Sequence, residues 1–164
     1  MALFAEAAPR HRRVMTEEVN VRRIVVGVDG SEQSKRALRW AIEQAGLTAA
    51  TVEAVGVWQY PSIYAWGAVA VFDAAELADA CERTLSDTLT EVGGEEPPVH
   101  IDSYVSAGHP ANELVRQAKG ADLLVVGSRG HGGFVGALLG SVSQYCVHHA
   151  TCTVVVVRDQ HAET

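Results

Sequence analysis

Five short runs of apolar, mostly β-branched residues recur along this sequence, and segments of helical length separate them. The runs occupy residues 24–28, 51–58, 99–105, 123–126 and 153–157. The first run is apolar on both faces, which is typical of a central parallel strand that is covered by helices on each side. Strands that alternate with helices predict an α/β fold in which right-handed crossovers join a mainly parallel sheet.

The segments between the runs carry the start and stop signals of helices. We predict four helices: one from a cap at Ser31 or Ser34 to near Gly46, one over residues 73–92, a short one opened by residues 108–110, and one over residues 141–150. A chain of 164 residues with 48% apolar residues suits one domain with a sizeable core. We assign that domain to residues 21–158 and expect residues 1–20 and 159–164 to be flexible tails.

The net charge of −7 argues against a general nucleic-acid-binding protein or a membrane-surface protein. An acidic surface repels nucleic-acid phosphates and anionic lipid. The charge is uneven, because residues 1–23 carry five Arg and three Glu and the remainder therefore carries −9. Any anion that this body binds must be held by a local site. No apolar run approaches the ~20 residues of a membrane span, and the N-terminal segment does not read as a secretory signal.

Three cysteines without a CxxC pair are typical of a reducing compartment, so we expect a cytoplasmic protein. A zinc site built from Cys146, His148, His149 and Cys152 is an alternative, but the spacing is wrong for a zinc finger. Adjacent histidines also point in different directions on any helix. Small buried apolar side chains are the favoured interpretation of the two cysteines in that group.

Two unusual segments follow predicted strands, at the sheet edge where open α/β folds bind ligands. The first is residues 27–31, and the second is residues 127–141, with six glycines in fifteen residues. A glycine-rich loop that leads into a helix N-terminus suits a phosphate group, although a purely structural loop is the alternative. No Lys precedes Ser141, as a Walker motif would require, and Val135 stands where a dinucleotide-binding motif needs its third glycine.

The spacing Gly127-x2-Gly130-x9-Gly140-Ser141 resembles the glycine signature of the universal stress protein family, of the ATP-binding type. The resemblance extends over residues 22–158. It implies a five-stranded sheet of order 3-2-1-4-5 with helices on both faces, an adenine nucleotide alpha hydrolase-like fold. One departure is that Thr residues flank Cys152, where family members commonly have Pro.

The resemblance also implies roles for individual positions. Gly27 and Asp29 would line the adenine and the ribose, and the backbone of Val57 would read the adenine edge. The positions that match phosphate contacts are Gly127, Gly130, Gly140, Ser141 and Val142, and the residues that wrap between them are Ser128, Arg129, His131, Gly132 and Gly133. Asp29 has two further interpretations, as a helix N-cap and as a ligand of Mg²⁺.

Three functions remain open. The favoured one is an ATP-binding stress-response or regulatory module with little or no turnover, since no general base is evident. The alternatives are an enzyme that hydrolyses nucleotide or transfers phosphoryl groups, and a structural dimer with an empty loop. A cyclic nucleotide is a further candidate ligand. The aromatic residues of the 58–72 segment are candidates to stack on the base, and His109 and His131 are candidates to meet phosphate.

The resemblance and the last apolar run together predict a homodimer. In the order 3-2-1-4-5, residues 153–157 form an edge strand with four consecutive valines. An uncovered apolar edge invites aggregation. The same strand of a second copy would cover it, and family members commonly dimerise in this way.

Overall fold

The computed structural model describes residues 22–60, 73–130 and 138–158. Both predicted tails, the 61–72 segment and residues 131–137 lie outside these ranges. The strands are β1 Arg23–Gly27, β2 Thr51–Trp58, β3 Ile101–Ala107, β4 Leu123–Gly127 and β5 Thr153–Val157. The helices are α1 Glu32–Thr48, α2 Ala74–Gly93, α3 Pro110–Gln117 and α4 Ser141–His149.

The sheet has the order β3-β2-β1-β4-β5, and every described strand pair is parallel. Strand β1 lies at the centre, and its successive side chains alternate between two buried clusters. Ile24 and Val26 pack with apolar residues of α1 and α2, whereas Val25 packs with residues of α3 and α4. The predicted strand order and the helices on both faces are therefore confirmed.

Several element boundaries differ from the sequence prediction, most of them by one or two residues. Helix α1 continues past Gly46 to Thr48, because Ala49 takes a left-handed conformation with φ 53° and its N–H donates to the carbonyl of Ala45. A glycine is therefore not needed to end the helix. Strand β3 begins at Ile101, two residues later than predicted. Its pairing is anchored just before that point, where the carbonyl of His100 accepts from the N–H of Val52 at 3.0 Å.

The cysteines of this fold are all free thiols. Burial, and secondarily the neighbouring Cys152, raises the pKa of the Cys146 thiol to about 11, so this thiol is protonated at neutral pH. Within the described ranges, no group of three His, Cys, Asp or Glu side chains could hold a metal ion. None of the helices in those ranges combines the length and the apolar character that crossing a membrane requires.

Candidate functional site

A cavity of about 420 Å³ opens at the carboxyl ends of β1, β2 and β4. It lies where the strand order reverses, because the chain leaves β1 toward β2 and later returns to β4 on the other side of β1. Open α/β sheets bind ligands at this kind of switch point. The lining residues are Gly27, Val28, Asp29, Ser34, Val55, Val57, Gln59, His109, Pro110, Leu114, Val126, Gly127, Gly130, Ser141 and Val142.

The loop after β1 brings a carboxylate to one wall of the cavity. Oδ1 of Asp29 accepts from the N–H of Ser31 at 3.0 Å and from its hydroxyl at 2.6 Å. The Ser31 hydroxyl oxygen in turn accepts from the N–H of Ser34 at 3.2 Å, so that Ser31 is the N-cap of α1. The interpretation of Asp29 as the N-cap is therefore wrong. Asp29 instead orients the capping residue and lines the cavity.

The end of β2 presents backbone groups to the same cavity. Pairing between β1 and β2 stops at Gly27 and Val55, where the N–H of Val28 donates to the Val55 carbonyl at 2.9 Å. Alternate residues of a parallel strand face the same neighbour. Val57 therefore directs its N–H and carbonyl to the β1 side, beyond the point where β1 has ended. The Trp58 carbonyl faces the other side and accepts from the N–H of Gly108.

The described glycines of the second loop, Gly127, Gly130 and Gly140, are favoured by space and not by backbone angle. Gly130 is absent from the positive-φ glycines of the described chain, and Gly140 has φ −74°. A Cβ on Gly130 would lie 2.6 Å from Oδ2 of Asp29, so the two loops meet at this point. A Cβ on Gly127 would lie 2.9 Å from the backbone carbon of Gln33 in α1. The bare backbone at Gly127 therefore also serves helix packing.

Helix α4 begins at the far end of this loop without a cap from its own side chains. Its N-cap is Gly140, no side chain of the described residues caps its first N–H groups, and its first turn holds no acidic residue. The loop is closed beneath it by the Ser128 carbonyl, which accepts from the N–H of Gly140 at 2.7 Å and from the Ser143 hydroxyl at 3.1 Å. The first turn of α4, with Ser141 and Val142, therefore faces the cavity.

The third wall comes from the loop between β3 and α3, of which only His109 was expected near the ligand, as a candidate to meet phosphate. His109 is the N-cap residue of α3 and lines the cavity together with Pro110 and Leu114. Glu113 stabilises this turn, because its Oε2 accepts from Arg116 and from the Ser106 hydroxyl, each at 2.6 Å. These two hydrogen bonds, that from Arg116 first, hold the pKa of Glu113 below its usual range.

The structure brings together some of the residues that were predicted to form the nucleotide site. Seven of the predicted residues line the cavity: Gly27, Asp29, Val57, Gly127, Gly130, Ser141 and Val142. Ser128, Arg129 and Gly140 do not, and the Ser128 side chain is buried under the loop. His131, Gly132 and Gly133 lie outside the described residues. Gln59, which directly follows β2, was missed, and His109, two residues after the end of β3, was named only as a candidate to meet phosphate.

The charge of the described lining is sparse. Asp29 contributes the only carboxylate among these residues, His109 the only imidazole, and neither Lys nor Arg takes part. The remaining walls are apolar side chains and backbone groups. Such a cavity favours a ligand with an apolar, planar part against the side chains and an anionic part against backbone N–H groups.

Comparison with known proteins places this arrangement in a family. The model of the universal stress protein family matches residues 20–158. Universal stress protein Rv2623 of Mycobacterium tuberculosis is 32% identical over 136 residues, which are 83% of this chain and 45% of that protein. The chain thus spans less than half the length of these curated relatives.

Solved structures agree with this match. The universal stress protein UspA from Lactobacillus plantarum superposes with a TM-score of 0.67 and 26% identity, over 84% of this chain and 97% of that one. A universal stress protein in complex with cAMP superposes with a TM-score of 0.60 and 27% identity, over 83% and 96% of the two chains.

Proposed function

This chain belongs to the universal stress protein family, and from that premise we propose that its cavity binds an adenine nucleotide, ATP first, in a stress-response or regulatory role with little or no turnover. The observation that carries the proposal is the meeting of the two loops and β2 around one cavity at the switch point. The relative that was solved with cAMP supports a purine nucleotide as the ligand class.

The adenine would lie on the β2 side of the cavity. Val55, Val57 and Leu114 offer apolar contacts for the base. The N–H and carbonyl of Val57, directed beyond the end of β1, match the donor and acceptor pattern of an adenine edge. Gln59 stands next to them as a further amide group. Asp29 would accept hydrogen bonds from the ribose hydroxyls through a carboxylate that Ser31 already orients.

The phosphates would lie on the β4 side, against the first turn of α4. Backbone N–H groups at a helix N-terminus carry partial positive charge and suit an oxyanion. Ser141 adds a hydroxyl donor there, and Gly130 allows close approach of the loop backbone. Should Mg²⁺ accompany the nucleotide, the Asp29 carboxylate is the ligand that the described lining offers, and the ion would neutralise phosphate charge.

The alternative enzymatic function uses the same residues. Hydrolysis or phosphoryl transfer needs a group that positions water or accepts a proton near the terminal phosphate. In the described lining, only Asp29 and His109 are titratable, and Asp29 is engaged with Ser31. This composition supports binding with little turnover over catalysis.

The decisive experiment identifies the nucleotide that copurifies with the protein. Heating would release the ligand, and chromatography would separate ATP, ADP and cAMP. Bound ATP without multiple turnovers supports the proposal, whereas ADP accompanied by turnover indicates the enzyme. Bound cAMP would mean that the ligand is a cyclic nucleotide and not ATP. A protein that carries no nucleotide and gives no calorimetric signal with ATP or cAMP contradicts the proposal.

We also propose that two copies pair through the outer edge of β5. The Val157 carbonyl faces β4, where it accepts from the N–H of Ser128 at 2.8 Å. Alternation along the strand then turns the N–H groups of Val154 and Val156 outward. We expect Val156→Pro to shift a dimer toward monomer or aggregate in light scattering, because it removes an outward N–H. A wild-type monomer at micromolar concentration would contradict the dimer.

A further inference from the structure

A second groove lies at the opposite edge of the sheet from β5, between α2 and β3. Its volume is about 420 Å³. The lining residues are Glu82, Leu85, Ser86, Leu89, Thr90, Gly94, Pro97, Ile101, Ser103 and Val105. Both elements contribute apolar residues to this lining, and α2 also contributes residues with hydroxyl and carboxylate groups. This groove is separate from the nucleotide cavity and shares no lining residue with it.

Strand β3 presents an open backbone edge beside this groove. The His100 carbonyl bonds to β2, so alternation turns the N–H and carbonyl groups of Ile101, Ser103 and Val105 outward. Within the described part of the chain, no strand pairs with that edge. The side chains of the same three residues line the groove. A strand added at this edge would therefore place every second side chain over the groove.

The chain segment that forms most of the groove is strongly acidic. Residues 73–102, which include α2 and the start of β3, hold nine Asp or Glu and a single Arg, a net charge of −8. All other residues of the chain together carry +1. Glu82 lines the groove, and Glu95 and Glu96 are exposed between the lining residues Gly94 and Pro97. Glu91 does not line the groove, and its carboxylate forms an ion pair with Lys35 of α1 at 2.8 Å.

We propose that this edge binds a partner protein through an extended basic segment, which pairs with β3 and places alternate apolar side chains in the groove. Addition of a strand to an exposed sheet edge is a common mode of peptide recognition. The charge selects the occupant, because a second copy of this acidic face would be repelled, whereas Lys and Arg side chains would lie beside Glu82, Glu95 and Glu96. Val105, 37% exposed, provides apolar surface at the end of the groove.

The test measures binding of a fluorescent nine-residue peptide of alternating Arg and Val, capped at both ends, to the full chain. We expect saturable fluorescence anisotropy and slower hydrogen exchange at the amides of Ile101, Ser103 and Val105. Val105→Lys should weaken binding about tenfold, since it places a cation at the edge and removes apolar contact. Glu82→Lys should act in the same direction.

Three controls make the test decisive. Glu43→Lys makes the same charge change on the exposed side of α1, outside the groove, and should leave binding within about twofold. A peptide with Glu in place of Arg should not bind, and a peptide N-methylated at alternate residues should bind at least about tenfold more weakly. The Ser103→Lys variant, at an exposed position, repeats the edge test should Val105→Lys not fold.

The proposal is overturned by several outcomes. These are no binding to the wild type, an equal loss in Glu43→Lys and Glu82→Lys, or protection from exchange at residues other than the β3 edge. Each variant should also retain the wild-type response to ATP in calorimetry, which separates failure of this surface from failure of the nucleotide site.

Discussion

The helices α1 and α4 begin at the same edge of the sheet, after neighbouring strands, yet their N-termini are built differently. Helix α1 is capped by the Ser31 hydroxyl and has Glu32 in its first turn. Helix α4 starts at Gly140, no side chain of the described residues caps it, and its first turn holds no acidic residue. The first N–H groups of any helix lack partners within the helix. In α1 its own side chains meet part of that need, whereas in α4 they do not.

This contrast shows how the fold assigns different tasks to similar elements. In a capped helix with a carboxylate in its first turn, these side chains already interact with the free N–H groups and the positive end of the helix dipole. The cap and the carboxylate then stabilise the fold. A helix without a cap or an acidic residue is less stable alone and is better suited to an external anion. Helix α2 is capped by Asp73 and has Glu76 in its first turn, as expected of an element outside the nucleotide cavity.

The largest expected effect comes from closing the space between the two loops. Gly130→Val should weaken ATP binding by about 3 kcal/mol through overpacking, because its Cβ would lie 2.6 Å from Oδ2 of Asp29. Calorimetry checks this value. The matched control is Gly46→Ala in α1, whose Cβ would meet no atom closer than 3.8 Å. It should leave the affinity unchanged and stabilise the fold by about 0.5 to 1 kcal/mol. Undiminished affinity in Gly130→Val would remove this loop from the site.

The second-largest expected effect comes from removal of the Asp29 carboxylate. Asp29→Ala should weaken ATP binding by about 1 to 3 kcal/mol, the range for loss of a charged hydrogen-bond partner. Inorganic triphosphate should be hardly affected in parallel titrations, because it has no ribose. Ser31→Ala is the control, since it disturbs the same loop and keeps the carboxylate. Equal losses for ATP and triphosphate would point instead to Mg²⁺ or to the loss of loop order.

An acidic residue in the first turn of α4, like Glu32 in α1, should have opposite effects on fold stability and on ATP affinity. Ser141→Asp should stabilise the fold by about 0.5 kcal/mol through the helix dipole and weaken ATP binding by about 1 kcal/mol through repulsion of phosphate. Urea unfolding and calorimetry on the same preparation measure the two effects. Glu32→Gln in α1 should lower stability by a similar amount with unchanged affinity. A gain in ATP affinity in Ser141→Asp would contradict the placement of the phosphates against the first turn of α4.

The smallest expected effect on ATP binding comes from removal of the α1 cap. Ser31→Ala should lower the free energy of unfolding by about 1 kcal/mol, as removal of an N-cap hydroxyl typically does. Urea denaturation with and without saturating ATP measures it. The difference between the two curves should be close to that of the wild type. A much larger loss of ATP stabilisation would mean that the α1 cap belongs to the binding site as well.

The sequence predicted the fold well because its signals there are local. Short β-branched runs and amphipathic segments follow from the periodicities of strands and helices, and β2 and β5 occur at the predicted residues. The glycine spacing similarly indicated which loop meets the carboxylate after β1. The boundary of α1 was predicted less well, because Ala49 adopts a left-handed conformation that its side chain does not signal.

The sequence by itself therefore determined the α/β class, the sheet order through its family resemblance, and the two loops that form the site. Only the tertiary structure decided that Ser31 and not Asp29 caps α1, that Gly127 makes room for α1, and that the N–H of Val156 points away from β4. The physical reason is that backbone direction and close packing depend on which strands and helices are neighbours. Those neighbours are distant in sequence, so no local pattern records them.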